Sequence, residues 1–408
     1  MIVLLVVMAL VFLWALVSDR LARWSITAPI AFVLAGAVLA GGDHPVLRLD
    51  FETDAFRRSV ELVLAVMLFA DATEARSYER LENPTVEHRL LGLALPASVG
   101  LATLLGAALF PGTGWWLLVV AALVVMPMDL APVLNFLKDE RVPWRVRAAL
   151  NIEGGFNDGL ISPLFVFAVA NAVGHGDDSF ADLVLNALQG AVLAVLVGTA
   201  LGLGASWLVR RSHRAGWAEP RVLRLAGLAL PFLAYAGAVL IGGNGFVAAF
   251  VTGMCYARTA HDVGRDHLDL VHDASQLMAI GAWFAFGKLV ADEFSHGIEL
   301  SVVAYGFLAL TAARYVPVVL SLTGTDFTRA ERNVMGWLGP RGVTSIVFAV
   351  LAYVELGARD ASLILKLAGS TVLLSVILHG VTAEPLARWL GQRAVIADGD
   401  EGSRTGHA

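Results

Sequence analysis

Residues 115–137 read WWLLVVAALVVMPMDLAPVLNFL, and residues 150–173 read LNIEGGFNDGLISPLFVFAVANAV. Each run is apolar and long enough to cross a bilayer, for which roughly 20 residues suffice. Each also carries a carboxylate well inside it, Asp129 in the first and Asp158 in the second. On insertion scales a charged side chain at the centre of a membrane helix costs about 2.5–3.5 kcal/mol. Chains tolerate this where the group faces a protein interior or a watery cavity, usually one that handles ions or protons. Two such spans in succession, both interrupted by helix breakers, point to an all-α polytopic membrane protein with its chemistry inside the bundle.

Composition agrees. The chain is 57% hydrophobic and 16% charged, against about 45–50% and 25% in ordinary soluble domains. The 408 residues are therefore expected to form one membrane bundle, with no soluble domain attached. The lone Cys255 excludes an intramolecular disulfide. The ten histidines are scattered, without the close spacing of a transition-metal site. Met1 to Trp14 has no basic stretch before its apolar run, so it reads as a first span, not a signal peptide.

Apolar runs between polar breaks predict about thirteen transmembrane helices. Their boundaries fall at about 2–18, 25–41, 58–73, 90–110, 114–137, 149–173, 182–209, 222–241, 245–259, 275–291, 299–322, 335–356 and 364–387. The segment 392–408 is polar and expected to be a disordered tail. Basic residues fix the direction. Of 29 Lys and Arg, 21 fall in alternate connections and the tail, whereas the opposite connections hold only Arg48, Arg57, Arg58 and Arg359. Positive loops stay cytoplasmic, so the N-terminus is expected outside and the C-terminus inside.

With direction set, depth can be compared. Asp129 lies about eight residues from the inner end of the fifth span, and Asp158 about nine from the inner start of the sixth. At 1.5 Å per residue both sit roughly 12–14 Å deep. Asn157 adds an amide beside Asp158. Pro127 and Pro132 flank Asp129 and free backbone carbonyls, which at this depth must line a cavity and make good oxygen ligands for a hard cation. The carbonyl of Met128 is one such expected ligand. The twelfth span has a matching break at Gly339-Pro340, directly before Arg341. Setting the seventh span aside leaves six on each side, with the broken span fifth in each group. This pattern predicts two inverted six-helix repeats with broken fifth and twelfth helices. Glu153 and Arg341 have similar counted depth and opposite sign, so they are expected to form a buried structural ion pair. Arg314, mid-span, is expected to neutralise carbonyls at the crossing. Asp71, near the inner end of the third span, is expected to line the entry or to add a ligand. His379, near the inner end of the last span, reads as a packed or capping histidine.

These residues resemble the monovalent cation/proton antiporter family, the NhaP-like Na+/H+ exchangers, over nearly the whole chain. Glu153-Gly154-Gly155-Phe156-Asn157-Asp158-Gly159 is similar to the family's E-S-x-x-N-D-G signature. Gly339-Pro340-Arg341-Gly342 with Ser345 is similar to its G-P-R-G-x-x-S motif. Gly242 to Phe250, Thr27-Ala28-Pro29, Leu68 to Ala72 and His379 to Ala383 agree in order. The resemblance implies a mobile core domain (helices about 90–173 and 299–387) in which the unwound fifth and twelfth helices cross, dimerisation helices (about 2–73 and 222–291) and a linker helix at 182–209. It also implies that Asp158 binds cation and proton in turn, and that an Asn-Asp pair makes the exchange electroneutral. Pro127-Met128-Asp129 stands where the family usually has Pro-Thr-Asp, and Gly154 where it has Ser.

The expectation is thus an electroneutral secondary antiporter, not an enzyme, exchanging a monovalent cation, preferably Na+, for a proton. Its site is Asp158, Asp129 and Asn157, with the Met128 carbonyl and Asp71. It is expected to need no cofactor or transition metal, to sit in the plasma (inner) membrane as a homodimer, and to bind no nucleic acid. A K+/H+ antiporter on the same scaffold, or a non-transporting sensor that has lost cation ligands, are the alternatives.

Overall fold

Lipid offers no hydrogen bonds to a backbone, so an apolar chain must satisfy its own N–H and C=O groups, which helices do. The computed structural model describes residues 2–22, 27–42, 45–49, 51, 53–75, 84–174, 180–259, 266–295 and 297–405. Among these there is no β-strand, and helix lies over every expected segment. The first half holds α1 (Ile2–Ala22), α2 (Ala28–Ala40), α3 (Asp54–Ala75), α4 (Pro84–Arg89), α5 (Leu95–Leu109), α6 (Trp115–Val125), α7 (Leu134–Lys138) and α8 (Trp144–Val173). The second holds α9 (Phe180–Arg214), α10 (Pro220–Leu240), α11 (Gly245–Thr259), α12 (Asp269–Phe294), α13 (Leu300–Leu310), α14 (Ala312–Ser321), α15 (Arg329–Trp337), α16 (Val343–Glu355) and α17 (Ala358–Thr405). Among the described residues, eight helical stretches are long and apolar enough to cross a membrane, and three shorter apolar helices are α2, α6 and α16.

The breaks have local causes. The fifth expected span divides into α6 and α7 around Pro127 and Pro132, and the twelfth into α15 and α16 around Gly339-Pro340. Pro96 would obstruct the carbonyl four residues back. The chain answers with a wide π-turn at Leu90–Ala94, where the Leu95 N–H reaches the Leu90 carbonyl instead. The eleventh expected span also divides, between α13 and α14, at Thr311 (φ −99°, ψ −87°). α15 opens on a capping box, in which the Thr328 hydroxyl accepts the Glu331 N–H at 3.2 Å and the Glu331 carboxylate accepts the Thr328 N–H at 2.8 Å.

Two correspondences differ from expectation. The segment expected to be a disordered tail is helical as far as Thr405, and its last three residues lie outside the described ones. Continuing an existing helix avoids the unfavourable nucleation step, so a polar extension of α17 can stay wound. The second difference, the partner of Glu153, belongs to the site.

Helices α2, α3, α10, α11 and α12 pack together, as do α5, α6, α8, α13, α16 and α17; the two sets meet where α3 lies against α8 and α16, α12 against α16 and α17, and α11 against α8. The α2–α12 crossing is very close. A Cβ on Gly36 would stand 1.9 Å from the Phe284 carbonyl oxygen, and one on Gly287 would stand 2.0 Å from that of Val33. Only glycine allows backbones to approach this far. On the arginine-rich face, ion pairs tie neighbours within a set: Arg145 to Glu331 at 2.7 Å and Arg141 to Glu384 at 3.1 Å. Arg141 also binds Asp139 and holds its carboxyl below the usual carboxylate range. On the opposite face two contacts run between the sets: Arg57 of α3 meets Glu355 of α16 at 2.7 Å, and Ser362 of α17 donates to Glu293 of α12. Within the first set, Arg57 also meets Glu61 at 3.3 Å, and Tyr235 of α10 donates to Glu61 at 2.8 Å.

Candidate functional site

A broken helix exposes four orphan carbonyls at one end and four orphan N–H groups at the other. The carbonyl end carries partial negative charge and the N–H end partial positive charge. In this bundle the side chains beside the breaks answer those charges. α6 ends at Val125, and the Arg341 guanidinium donates to the carbonyls of Met126 at 2.7 Å and Pro127 at 3.2 Å. α16 begins at Val343, and its N–H donates to Asp129 Oδ2 at 2.8 Å. The two unwound segments touch directly, since the Asp129 N–H donates to the Pro340 carbonyl at 2.9 Å. The Arg341 N–H is taken up by Ser375 Oγ of α17 at 2.7 Å. At the end of α15, Arg314 donates to the carbonyls of Met335 (3.3 Å) and Leu338 (3.4 Å), and His379 Nε2 stands 3.0 Å from that of Trp337. Arg314 and His379 thus act on carbonyls at the crossing.

Gly342 lies at the point of closest approach. A Cβ there would stand 2.1 Å from Asp129 Oδ2, so the crossing needs a residue without one. Gly342→Ala is expected to push the two segments apart, at about 1–3 kcal/mol for an overpacked position. Thermal stability in detergent and cation-dependent proton flux should both fall.

Asp158 faces this crossing from the middle of α8. It is 3% exposed and Asn157 is 1% exposed. Asp158 Oδ2 accepts the Thr344 hydroxyl of α16 at 2.5 Å. Asn157 Nδ2 donates to the Met128 carbonyl at 3.2 Å, which occupies one of that oxygen's two lone pairs. The remaining oxygens, Asp158 Oδ1 and Asn157 Oδ1, are buried and have no hydrogen-bond partner among the described residues. Buried polar oxygens are almost always bonded. Two such acceptors on consecutive residues, one of them a carboxylate, suit a dehydrated monovalent cation or a proton. The sequence-predicted residues Asp158, Asp129, Asn157 and Met128 therefore stand around one crossing, tied together through α16 and the α6–α7 break. Asp71 lies on α3, which packs against α8 and α16. Met128 is buried, and its Cε lies 3.5 Å from where a Cβ of Gly154 would be. The two departures from the family motif thus lie against each other.

The expected Glu153–Arg341 ion pair is not formed. Glu153 instead pairs with Arg314 of α14, whose two terminal nitrogens meet its two carboxylate oxygens, one of them at 2.9 Å. Both residues are buried. Depth counting misled because it assumed 1.5 Å per residue throughout. The unwound residues 338–342 advance the chain up to about 3.3 Å each, which carries Arg341 past Glu153 to the end of α6. Arg341 still feels the charges of Glu153 and Asp158 without bonding to either. Thr344 had no role in the sequence reading. Its signal was a hydroxyl in the first turn after a break, on the side of the break facing Asp158.

Broken helices crossing at a buried carboxylate, within a helical bundle, are features that membrane transport proteins share. The chain belongs to the sodium/hydrogen exchanger family: the family's transmembrane region matches residues 6–389. It is 25% identical over 377 residues to the K(+)/H(+) antiporter NhaP2 of Shewanella sp. (strain ANA-3), covering 91% of this chain and 64% of that protein. It is 26% identical over 379 residues to the Na(+)/H(+) antiporter NhaH of Halobacillus dabanensis, covering 89% and 91%. The chain thus spans 64% of the length of the curated relatives it matches first. Among solved structures it resembles the sodium proton antiporter MjNhaP1 from Methanocaldococcus jannaschii, with a TM-score of 0.73, 18% identity, and coverage of 94% of this chain and 97% of that one. That likeness shows the fold.

Proposed function

We propose that this chain is a secondary antiporter exchanging one monovalent cation, preferably Na+, for one proton. The observation that carries the reading is the buried Asp158, hydrogen-bonded to α16 at the helix crossing, with an Oδ1 that has no partner among the described residues, as has the Oδ1 of the preceding Asn157. Deprotonated Asp158 takes a dehydrated cation, helped by Asn157, the second lone pair of the Met128 carbonyl and the nearby carboxylates of Asp129 and Asp71. Protonation of Asp158 expels it. Asp129 stays ionised, because the N-terminus of α16 donates to it. The set α5–α8 with α13–α17 is the moving core, and α1–α3 with α10–α12 the dimerisation frame, related as inverted repeats through the linker α9. Only a neutralised site crosses the apolar interior at low cost, so the core moves with a cation or a proton bound and not empty. The setting is the plasma membrane, with the arginine-rich face in the cytoplasm and the protein a homodimer.

A K+/H+ exchange is the second reading, favoured by the names of the Shewanella NhaP2 relatives. Dequenching of a pH-sensitive dye in everted vesicles, on addition of Na+, K+ or Li+, separates the two. No response to any of them would leave a protein that does not transport. One cation or one proton neutralises one acid, so exchange is expected to be electroneutral. In proteoliposomes, a K+/valinomycin potential of either sign should leave Na+-driven proton flux unchanged. Flux that scales with the potential would require a second proton in the cycle.

A further inference from the structure

Helix α9 finishes on an arginine-rich end, Trp207-Leu208-Val209-Arg210-Arg211-Ser212-His213-Arg214. Basic side chains near a helix C-terminus commonly cap its last carbonyls, but here the backbone supplies the caps. Gly216, at φ +67°, takes the left-handed turn that favours glycine. Its N–H donates to the His213 carbonyl at 3.1 Å, and that of Trp217 to the Ser212 carbonyl at 3.0 Å, the pairing that closes a helix end. The turn brings the Trp217 ring back against α9, its centroid 5.6 Å from the Arg211 guanidinium carbon. Arg211 also lines a cleft of about 360 Å³ with Trp207, Arg210, Arg214 and Ala215. Among the described residues, the buried Arg210 Nε has no hydrogen-bond partner, and neither Arg210 nor Arg211 meets a carboxylate. By contrast Arg141, Arg145, Arg224 and Arg388 of the same face each meet one. Guanidinium donors that cap nothing and pair with no acid therefore converge on one cleft.

A guanidinium fork matches phosphate oxygens in pairs, so the cleft is complementary to a phosphate. The surface leading to it selects the source. Leu196, Leu203 and Trp207 follow one another at helical spacing toward the arginines, and they are 62%, 46% and 57% exposed. From Leu196 to Arg211 the helix rises about 22 Å at 1.5 Å per residue, which is one leaflet of a bilayer about 40–45 Å thick. A free anion has no contact to make with that apolar stripe, whereas a lipid covers it from end to end. We propose that this end of α9 binds the phosphate headgroup of an anionic phospholipid, whose acyl chains lie along Leu196 and Leu203. Trp207 then stands at the boundary between chains and headgroups, where indoles settle. The proposal goes beyond the antiport reading and does not depend on it.

The test uses the full chain in neutral detergent, titrated with phosphatidylglycerol, phosphatidylcholine or inorganic phosphate, and reads thermal stability. Phosphatidylglycerol should stabilise the wild type where the other two do not. In Arg210→Gln with Arg211→Gln, the concentration giving half of that effect should rise about thirtyfold, equivalent to about 2 kcal/mol for two arginines. Arg211 and Arg214 are both exposed, so Arg211→Gln with Arg214→Gln should keep the wild-type fold and show a similar rise, which covers a first variant that folds poorly. The control is Arg388→Gln with Arg393→Gln, which takes the same charge from the same face, at a second arginine–tryptophan contact of 4.6 Å between Arg393 and Trp389. It should leave the concentration unchanged. Equal stabilisation by phosphatidylcholine overturns the proposal. An equal rise in the cleft and control variants also overturns it, since the attraction would then belong to the whole face. Stabilisation by inorganic phosphate alone would make the cleft a free-anion site and overturn the lipid assignment. A wild type that exchanges no cation would strike the antiport reading and leave this site intact.

Discussion

Replacing Asp158 by Asn is expected to reduce exchange to background while leaving the protein inserted and folded. The substitution keeps size and shape, and the new amide oxygen can still accept the Thr344 hydroxyl that now holds Oδ2 at 2.5 Å. What it removes is the ability to alternate between charged and neutral. A buried carboxylate is itself a burden on the fold, because its charge is taken out of water, so its neutral counterpart should not lower stability. The check pairs cation-driven proton flux in proteoliposomes with thermal stability and elution volume in detergent. Exchange well above background in a folded Asp158→Asn protein would remove Asp158 from the mechanism.

The second large effect concerns the Glu153–Arg314 pair. Both side chains are nearly inaccessible, at 2% and 4% exposure, so removing either leaves a buried charge without its partner. Such losses cost about 3–5 kcal/mol, while replacing both members of a pair is often far milder. Glu153→Ala and Arg314→Ala are each expected to lower thermal stability strongly, and the double variant to lie closer to wild type than either single one. The same cycle on Glu153 and Arg341 should show the smaller coupling, because these two interact only through space and Arg341 spends its donors on the carbonyls of Met126 and Pro127. Additive losses at Glu153 and Arg314 would mean that the pair is not what holds α14 to α8.

Much of this arrangement was legible in the residues. An acid within a long apolar run has few explanations, and Pro127, Pro132 and Gly339-Pro340 announce their breaks through elementary backbone chemistry. Those two signals sufficed to bring Asp129, Asp158, Asn157 and the Met128 carbonyl to one locus. Depth along a span says nothing about the direction in which a side chain points, however, and it is distorted wherever the helix unwinds. For that reason Glu153 was matched to the wrong arginine. The break at Thr311, which precedes Arg314 by three residues, has neither proline nor glycine at the site, so no local rule exposed it. Thr344 occupies an unconstrained position of the G-P-R-G-x-x-S pattern, and its importance emerges only when α16 is set against α8. The helical extension of α17 beyond the bundle was hidden by composition, which reports what a segment would do alone and not what it does when attached to a formed helix.

The ion pairs of this bundle differ in strength according to where they sit. Glu153 and Arg314 are both within the set of helices proposed to move, buried and joined by two bonds, and nothing in the cycle requires them to part. Arg57 and Glu355 straddle the boundary between the two sets, with side chains 46% and 26% exposed. A contact of 2.7 Å cannot survive relative displacement of its helices by more than a fraction of its own length, so this pair must open whenever the boundary shifts. Exposed pairs of this kind are worth about 0–1 kcal/mol, which at room temperature is little more than thermal agitation. The bundle thus places its strong bond where permanence is needed and its weak one where release is needed. On the proposed cycle, turnover would thereby be spared a barrier that a buried pair at the boundary would impose on every passage.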